Sequence, residues 1–137
     1  GRPVTDEATS RRMAGIRQKD TAPELAVRRA LTRLGLRYRV RNRDLPGSPD
    51  VANRAGRWAI FVHGCYWHRH PGCRRTTTPK RNVEFWVAKF AANVARDARA
   101  VEALQQLGFG VATVWECETE GTPEELESLL RLRLTSG

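Results

Sequence analysis

The spacing of hydrophobic residues between positions 21 and 35 follows the period of an amphipathic helix. Its apolar stripe consists of Val27, Ala30, Leu31 and Leu34. Thr21 and Glu24 have the spacing of a capping box at the start of this helix, and Gly35 is a residue suited to end it. The segment is therefore predicted to be a helix with one buried face.

The segments that follow carry strand patterns. Residues 37–41, "RYRVR", alternate as an edge strand does, and residues 50–63, "DVANRAGRWAIFVH", have the pattern of a hairpin with its turn at 53–56. Within that hairpin, residues 58–62 are almost entirely apolar, which predicts a central strand. Residues 66 to about 81 are irregular and basic and favour a loop.

Two helices and a further strand complete the pattern. Residues 82–108 predict a long helix, residues 110–116 a buried strand, and residues 122–134 a capped final helix. The apolar stripe of the long helix consists of Val83, Val87, Phe90, Val94, Val101 and Leu104. Asp97 interrupts that stripe. The order of elements predicts an α/β fold, with a small mixed central sheet flanked by helices.

The charge composition indicates the class of partner that the chain binds. The chain has 24 basic and 15 acidic residues, a net charge of +9, which suits a polyanion such as nucleic acid. Residues 1–19 form a polar, basic arm, and residues 20–137 are expected to form a single domain. No apolar run reaches the roughly 18 residues of a membrane helix. The N-terminal residues lack the apolar core of a secretory signal, so a cytoplasmic location is expected.

Cysteine and histidine positions predict a structural zinc site. The chain has three cysteines, and an odd number without an export signal argues against a disulfide framework. Cys65, His70 and Cys73 lie within nine residues, Cys117 follows the last strand, and Pro71-Gly72 supplies a tight turn. A Cys3His set is a standard tetrahedral zinc shell, and the alternative is three buried cysteines beside a surface histidine.

A catalytic site is predicted around the hairpin. Asp50 stands at the start of one strand, but the Glu-x-Lys pattern that many nucleases carry on the next strand is replaced by Phe61-Val62-His63. Magnesium could still be held by Asp50, a backbone carbonyl near Val62, water and phosphate oxygens. His68 and His63 are the candidate bases for activating water, and Glu24 could orient one of them. The alternatives are a helix-capping role for Glu24 and a turn carboxylate for Asp50.

Five motifs together resemble one known family. They are "LPGSPD", "IFVHGCYWHRH", "EFWVAKFAANVARD", "LGFGV" and "VWEC". In combination they resemble the very short patch repair (Vsr) endonucleases over about residues 5–132. Ser48 and Val62 stand where the family usually has arginine and threonine.

The resemblance implies a restriction-endonuclease-like fold and a strand-nicking activity. Such enzymes cut double-stranded DNA 5′ to the thymine of a T:G mismatch left when 5-methylcytosine deaminates. It implies that Asp50 binds Mg²⁺ together with the Val62 carbonyl, that His68 is the general base, and that His63 and Glu24 assist it. The resemblance also supports the zinc ligands named above. A monomer acting at the nucleoid is expected, with a mismatch-repair protein as an additional partner.

The resemblance also implies a set of DNA-contacting residues. Aromatic side chains wedge into the base stack from one groove, a methionine enters from the other, and a polar pair on the long helix contacts bases. The corresponding residues here are Tyr66, Trp67, Trp86, Met13, Lys89 and Asn93, with Arg11 and Arg12 in the basic arm. Unstacking costs less at a mispair, which favours mismatched sites. Trp58 and Trp115 lie in strand patterns and are expected in the core.

Two other functions fit the same residues. One is a nuclease of the same fold that nicks modified or unmismatched DNA. The other is a zinc-stabilised DNA-binding module without activity, since Val62 and the absent Glu-x-Lys acid weaken the magnesium site.

Overall fold

The computed structural model of the protein describes residues 20–135. Its helices are α1 (Ala22–Arg33), α2 (Val83–Gln106) and α3 (Pro123–Thr135), and its strands are β1 (Val51–Asn53), β2 (Trp58–His63) and β3 (Gly110–Trp115). A short 3-10 helix, Glu116–Thr119, follows β3. The expected α/β class is confirmed. Among the described residues, no helix has both the length and the apolar character needed to cross a membrane.

The sheet is mixed, and β2 lies at its centre. Strand β1 pairs with β2 antiparallel, with Val51 opposite Ile60, and β2 pairs with β3 in parallel, with Val62 opposite Val114. Central placement explains why β2 is apolar at successive positions, because helices cover both of its faces. The predictions of the hairpin and of a central strand are confirmed.

The prediction of a strand at residues 37–41 was wrong. Only Arg39 pairs with the sheet, through a single bridge to Ala52. The side-chain amide of Asn42 instead donates to the carbonyls of Arg39, at 2.9 Å, and of Pro49, at 3.2 Å. The buried Asn42 side chain thus ties Arg39 to Pro49, where a regular edge strand would continue its backbone pairing.

Alternate residues of β2 face two separate hydrophobic clusters. Ile60 packs with α1 and α3, through residues such as Leu31 and Leu130. Phe61 packs on the opposite face with Leu104 of α2. The sheet is therefore the middle of three layers, with two helices on one side and the long helix on the other.

The long helix is less buried than its apolar stripe predicts. Val83, Val87 and Val94 are 46%, 53% and 45% exposed, whereas Phe90 and Leu104 are buried. Of the helix, only the C-terminal half packs in the second cluster. The N-terminal half reaches beyond the sheet and packs through Phe90 on the loop that follows β2.

Glycine is required where the chain turns into β1. Gly47 has φ +72°, and a Cβ there would lie 2.5 Å from the Cβ of Ala100 and 3.0 Å from the ring of Phe61. The loop before Asp50 is therefore pressed directly onto α2, which determines where β1 begins.

The predicted capping box is present at α3 but is only partly formed at α1. Thr122 and Glu125 form the predicted reciprocal box, with hydrogen bonds of 2.9 and 3.1 Å. At α1, the hydroxyl of Thr21 accepts from the Glu24 backbone at 3.5 Å, but the carboxylate of Glu24 accepts from the backbone of Asp20 at 2.9 Å. The Glu24 carboxylate thus accepts from the backbone of Asp20 rather than from that of Thr21.

Candidate active site and metal centre

A cavity of about 570 Å³ opens at the end of the sheet where β1 begins and β2 ends. Antiparallel pairing brings these two strand ends together. All five residues predicted for catalysis or magnesium binding line this cavity; they are Glu24, Asp50, Val62, His63 and His68.

Asp50 is held against the end of β2. Its carboxylate accepts a hydrogen bond of 2.7 Å from the Val62 backbone, and its own backbone donates to the Ile60 carbonyl at 3.0 Å. The carboxylate and the Val62 peptide are therefore neighbours at the cavity wall. The Asp50 carboxylate is a hard oxygen donor, and together with a backbone carbonyl at the end of β2 it would suit Mg²⁺, because that ion keeps several of its waters.

His68 is oriented by an acid that sequence reasoning did not assign. Its Nδ1 lies 2.7 Å from the Oδ2 of Asp97, and Asp97 also lines the cavity. An ionised carboxylate only accepts hydrogen bonds, so Nδ1 carries the proton and Nε2 is left as a proton acceptor. The signal for Asp97 was its interruption of an apolar helical stripe, but the sequence does not show which side chain it meets.

The second histidine lies directly against the first. The rings of His63 and His68 stack with centroids 3.9 Å apart and planes 3° from parallel. Burial, reinforced by the charge of His68, lowers the pKa of His63 to about 4. His63 is therefore neutral near pH 7, so the pair carries at most one positive charge.

The four predicted zinc ligands converge at one point. One potential ligand atom each from Cys65, His70, Cys73 and Cys117 lies within 4.8 Å of the others. The Nδ1 of His70 is 3.6 Å from the Cys65 sulfur and 3.5 Å from the Cys117 sulfur. Zinc bond lengths and a tetrahedral angle require an S–N separation of about 3.6 Å, so this donor set fits zinc.

The thiols are crowded when no cation lies between them. Burial, with the neighbouring Cys65, raises the pKa of Cys117 to about 12, whereas a backbone hydrogen bond at Arg75 lowers the pKa of Cys73. A divalent cation removes that conflict because it stabilises every thiolate at once. The predicted turn is present, since Gly72 has φ +72° and the Cys73 backbone donates to the His70 carbonyl at 3.3 Å.

Trp115 lies between the candidate metal centre and the histidines of the cavity. Its ring stacks on His70 with centroids 4.4 Å apart and meets His63 edge-on at 5.4 Å. Both tryptophans are partly buried, but Trp58 packs against the core as expected. Trp115 therefore belongs to the site, and its strand pattern alone did not reveal this.

Comparison with known proteins agrees with this geometry. Residues 3–75 match the family model described as DNA mismatch endonuclease Vsr. The chain is 42% identical to DNA mismatch endonuclease Vsr of Escherichia coli strain K12 over 96% of this chain and 84% of that protein. The chain belongs to the Vsr family.

Other members of the Vsr family carry a different description. Type II nicking enzyme V.XorIIP of Xanthomonas oryzae pv. oryzae is 47% identical over 77% of each chain. Type II nicking enzyme V.NmeAIP of Neisseria meningitidis serogroup A is 38% identical over 88% of this chain and 85% of that protein. The protein is thus a DNA nicking endonuclease of the Vsr family, and its expected enzyme class is confirmed.

The three aromatic residues predicted to form a wedge lie together in this Vsr enzyme. Trp67 meets Tyr66 at 5.0 Å and Trp86 at 5.8 Å between ring centroids. Phe90 packs beneath all three, and Phe85, which is 58% exposed, extends the cluster outward. Trp67 also lines the cavity that contains Asp50 and His68. Within the described residues, its buried indole N–H has no hydrogen-bond partner.

The remaining predicted DNA contacts of the Vsr enzyme differ in their surroundings. Lys89 is exposed, but Asn93 is buried, and its amide donates to the Trp67 carbonyl at 3.2 Å while its oxygen accepts from Arg96. Asn93 therefore supports the loop that carries Trp67, and a contact from Asn93 to a base stays a prediction. Met13, Arg11 and Arg12 lie outside the described residues.

Proposed function

We propose that this enzyme nicks one strand of double-stranded DNA 5′ to the thymine of a T:G mismatch, and so starts repair of deaminated 5-methylcytosine. One observation carries the proposal: Asp50, His68 and Trp67 line the same cavity. An acid suited to a cation, an oriented base and a stacking ring thus face one scissile position. The basic arm, residues 1–19, would close on the DNA from the other groove.

Magnesium would be held by Asp50 and the Val62 carbonyl, with water completing its shell. When bound, it supplies positive charge to the phosphate oxygens at the scissile position. Threonine, usual in the family, is replaced here by Val62, and a backbone ligand does not need the hydroxyl. The substitution is therefore compatible with activity.

His68 acts as the general base in this proposal. Its Nε2 accepts the proton of the attacking water while Asp97, 2.7 Å from Nδ1, stabilises the imidazolium that forms. His63 stays neutral behind it and adds no opposing charge. Glu24, which also lines the cavity, helps to orient the water in this proposal.

Mismatch preference rests on the aromatic cluster. Separating a base step costs a few kcal/mol, and that cost is smallest where the bases are mispaired. The name of the Escherichia coli relative includes mismatch cleavage, whereas two others are named as type II nicking enzymes. Recognition of the mismatch is therefore the feature to test first.

The test compares T:G and T:A duplexes that are otherwise identical, with either strand labelled. We expect one cut, in the thymine strand, only in the T:G duplex and only when magnesium is supplied. Magnesium should be omitted rather than chelated, since a chelator would also remove zinc. Equal cutting of both duplexes would assign the enzyme to unmismatched DNA, and no cutting would support a binding module.

Replacing His68 and Asp97 should lower the nicking rate in a non-additive way. We expect His68→Ala to lower the single-turnover nicking rate by about 100- to 10,000-fold. Asp97→Ala should lower it by about 10-fold or more in the native background but have little effect once His68 is absent, because Asp97 acts through His68. Glu102→Ala, an exposed acid on the same helix, is the control. Fully additive losses would contradict the pairing.

Removing the wedge should reduce discrimination rather than overall binding. Base–aromatic stacking is worth about 1–3 kcal/mol per base, so Trp67→Ala should lower the T:G over T:A ratio of kcat/KM by about 5- to 150-fold. Trp67→Phe should keep most of the ratio because it keeps a stacking ring. Affinity for matched DNA should stay near the native value. Equal losses on both duplexes would argue against a wedge.

A further inference from the structure

A line of exposed arginines precedes the active site. We define the arginine ridge as Arg37, Arg39, Arg41 and Arg43. All four are exposed and occupy alternate positions of one segment. Across residues 20–135, none of them lies within ion-pair distance of a carboxylate.

The acid nearest in sequence is already neutralised by another residue. Asp44 accepts two hydrogen bonds of 2.7 Å from the guanidinium of Arg54, and this pairing, helped slightly by Arg39, lowers the pKa of Asp44. The ridge therefore keeps nearly its whole positive charge. Four uncompensated like charges along one segment oppose folding slightly, and a polyanion would relieve that repulsion.

Backbone contacts determine where the ridge lies. Arg39 and Ala52 exchange hydrogen bonds of 2.8 and 3.1 Å, and Asn42 reaches the Pro49 carbonyl at 3.2 Å. The segment therefore runs antiparallel to β1 along the outer edge of the sheet. Because β1 begins beside Asp50, the ridge runs toward the cavity, and the chain then contributes Gly47 and Ser48 to the cavity wall.

We propose that the arginine ridge binds backbone phosphates of the DNA duplex on one side of the nick, outside the mismatch site. Since the segment pairs with the sheet at Arg39 alone and turns at residues 42–45, the ridge spans less than the roughly 20 Å of an extended chain, which is at most about six base pairs at 3.4 Å each. Arginine suits this because its fork binds phosphate oxygens in pairs. The buried amide of Asn42 holds the segment in place, so little ordering is needed on binding. This surface goes beyond the proposed function and does not depend on mismatch preference.

The experiment compares two variants of equal charge. The ridge variant carries Arg37→Gln, Arg39→Gln and Arg41→Gln. Arg43 is kept because it adjoins the loop that precedes Asp50. The control variant carries Arg29→Gln, Arg99→Gln and Arg131→Gln, which are exposed arginines on the three helices. Each variant changes the net charge of +9 by the same three units.

The first readout is the salt dependence of binding to a matched duplex. Each lost phosphate contact reduces the slope of log K against log salt by about 0.9, so we expect the ridge variant to lose about 2 to 3 from the native slope. The control should lose less than about 1. If the two variants gave equal slopes of log K against log salt, the proposal would be overturned. A ridge that binds an acidic protein rather than DNA would give that result.

The second readout locates the contact. One flank of the duplex at a time is shortened from about fifteen to about three base pairs, which removes the expected six-base-pair contact. Shortening one particular flank should weaken native and control binding but leave the ridge variant nearly unchanged. Further weakening of the ridge variant on both flanks would overturn the proposal. Because matched DNA and binding alone are measured, failure of T:G specificity would not affect the result.

Discussion

Asp50→Asn is expected to lower the single-turnover nicking rate by at least about 1,000-fold while DNA affinity stays close to native. The substitution removes the negative charge at the start of β1 that would hold magnesium. Asparagine is preferred to alanine because the Asp50 carboxylate accepts from the Val62 backbone at 2.7 Å, and the amide oxygen can replace it there. Alanine would leave that N–H without its acceptor, at a cost of about 1–3 kcal/mol.

The matched control is Asp44→Asn in the same loop. Asp44 is exposed, is paired with Arg54 and is not among the residues that line the cavity, so Asp44→Asn should change the rate by less than about 2-fold. Rates should be measured at saturating enzyme, with affinity measured separately by anisotropy. If Asp50→Asn kept more than about a tenth of the native rate, Asp50 would not be the residue that carries the cation chemistry.

Cys117→Ser should abolish zinc binding and lower the melting temperature by about 10–20 °C. Loss of one structural ligand costs about 3–5 kcal/mol on the scale of zinc-coupled folding, and each kcal/mol shifts the melting temperature by about 3–4 °C in a domain of this size. The nicking rate should also fall, because Trp67 and His68 lie in the loop between the ligands Cys65 and His70.

Three measurements test this role: zinc content, melting temperature, and the response to a chelator. A chelator should lower the melting temperature of the native protein to that of Cys117→Ser and leave the variant unchanged. Glu120→Gln is the control, since it removes the ion pair with Arg75 on the same loop but spares all four ligands. A native protein that contains no zinc and ignores the chelator would refute the assignment.

Local chemistry in the sequence was sufficient to predict most of the architecture. The helical and two-residue periods identified α1, α2, α3 and the β1–β2 hairpin, because burial of one face imposes those periods on any soluble chain. Ligand chemistry identified the zinc set, since thiolates and an imidazole at short spacing have few other uses.

Two predictions failed although the hydrophobic pattern was present in the sequence, because the neighbouring parts of the fold do not cover or pair with the whole segment. The alternation at residues 37–41 predicted a strand, yet the backbone pairs with the sheet at Arg39 alone, and the Asn42 side chain binds the carbonyls of Arg39 and Pro49. The stripe of α2 predicted burial, yet the helix is longer than the sheet it covers, and Val83 and Val87 remain exposed.

The sequence by itself predicted the three helices, the three strands of the sheet, the four residues of the Cys/His cluster and five of the residues that line the cavity. Only the tertiary structure decided which partner each of them meets. It brought Asp97 to His68, Trp115 between His70 and His63, and Asn93 beneath Trp67. Period and spacing describe one element at a time, whereas these contacts join residues 26 to 52 positions apart in different parts of the fold and depend on how the elements pack.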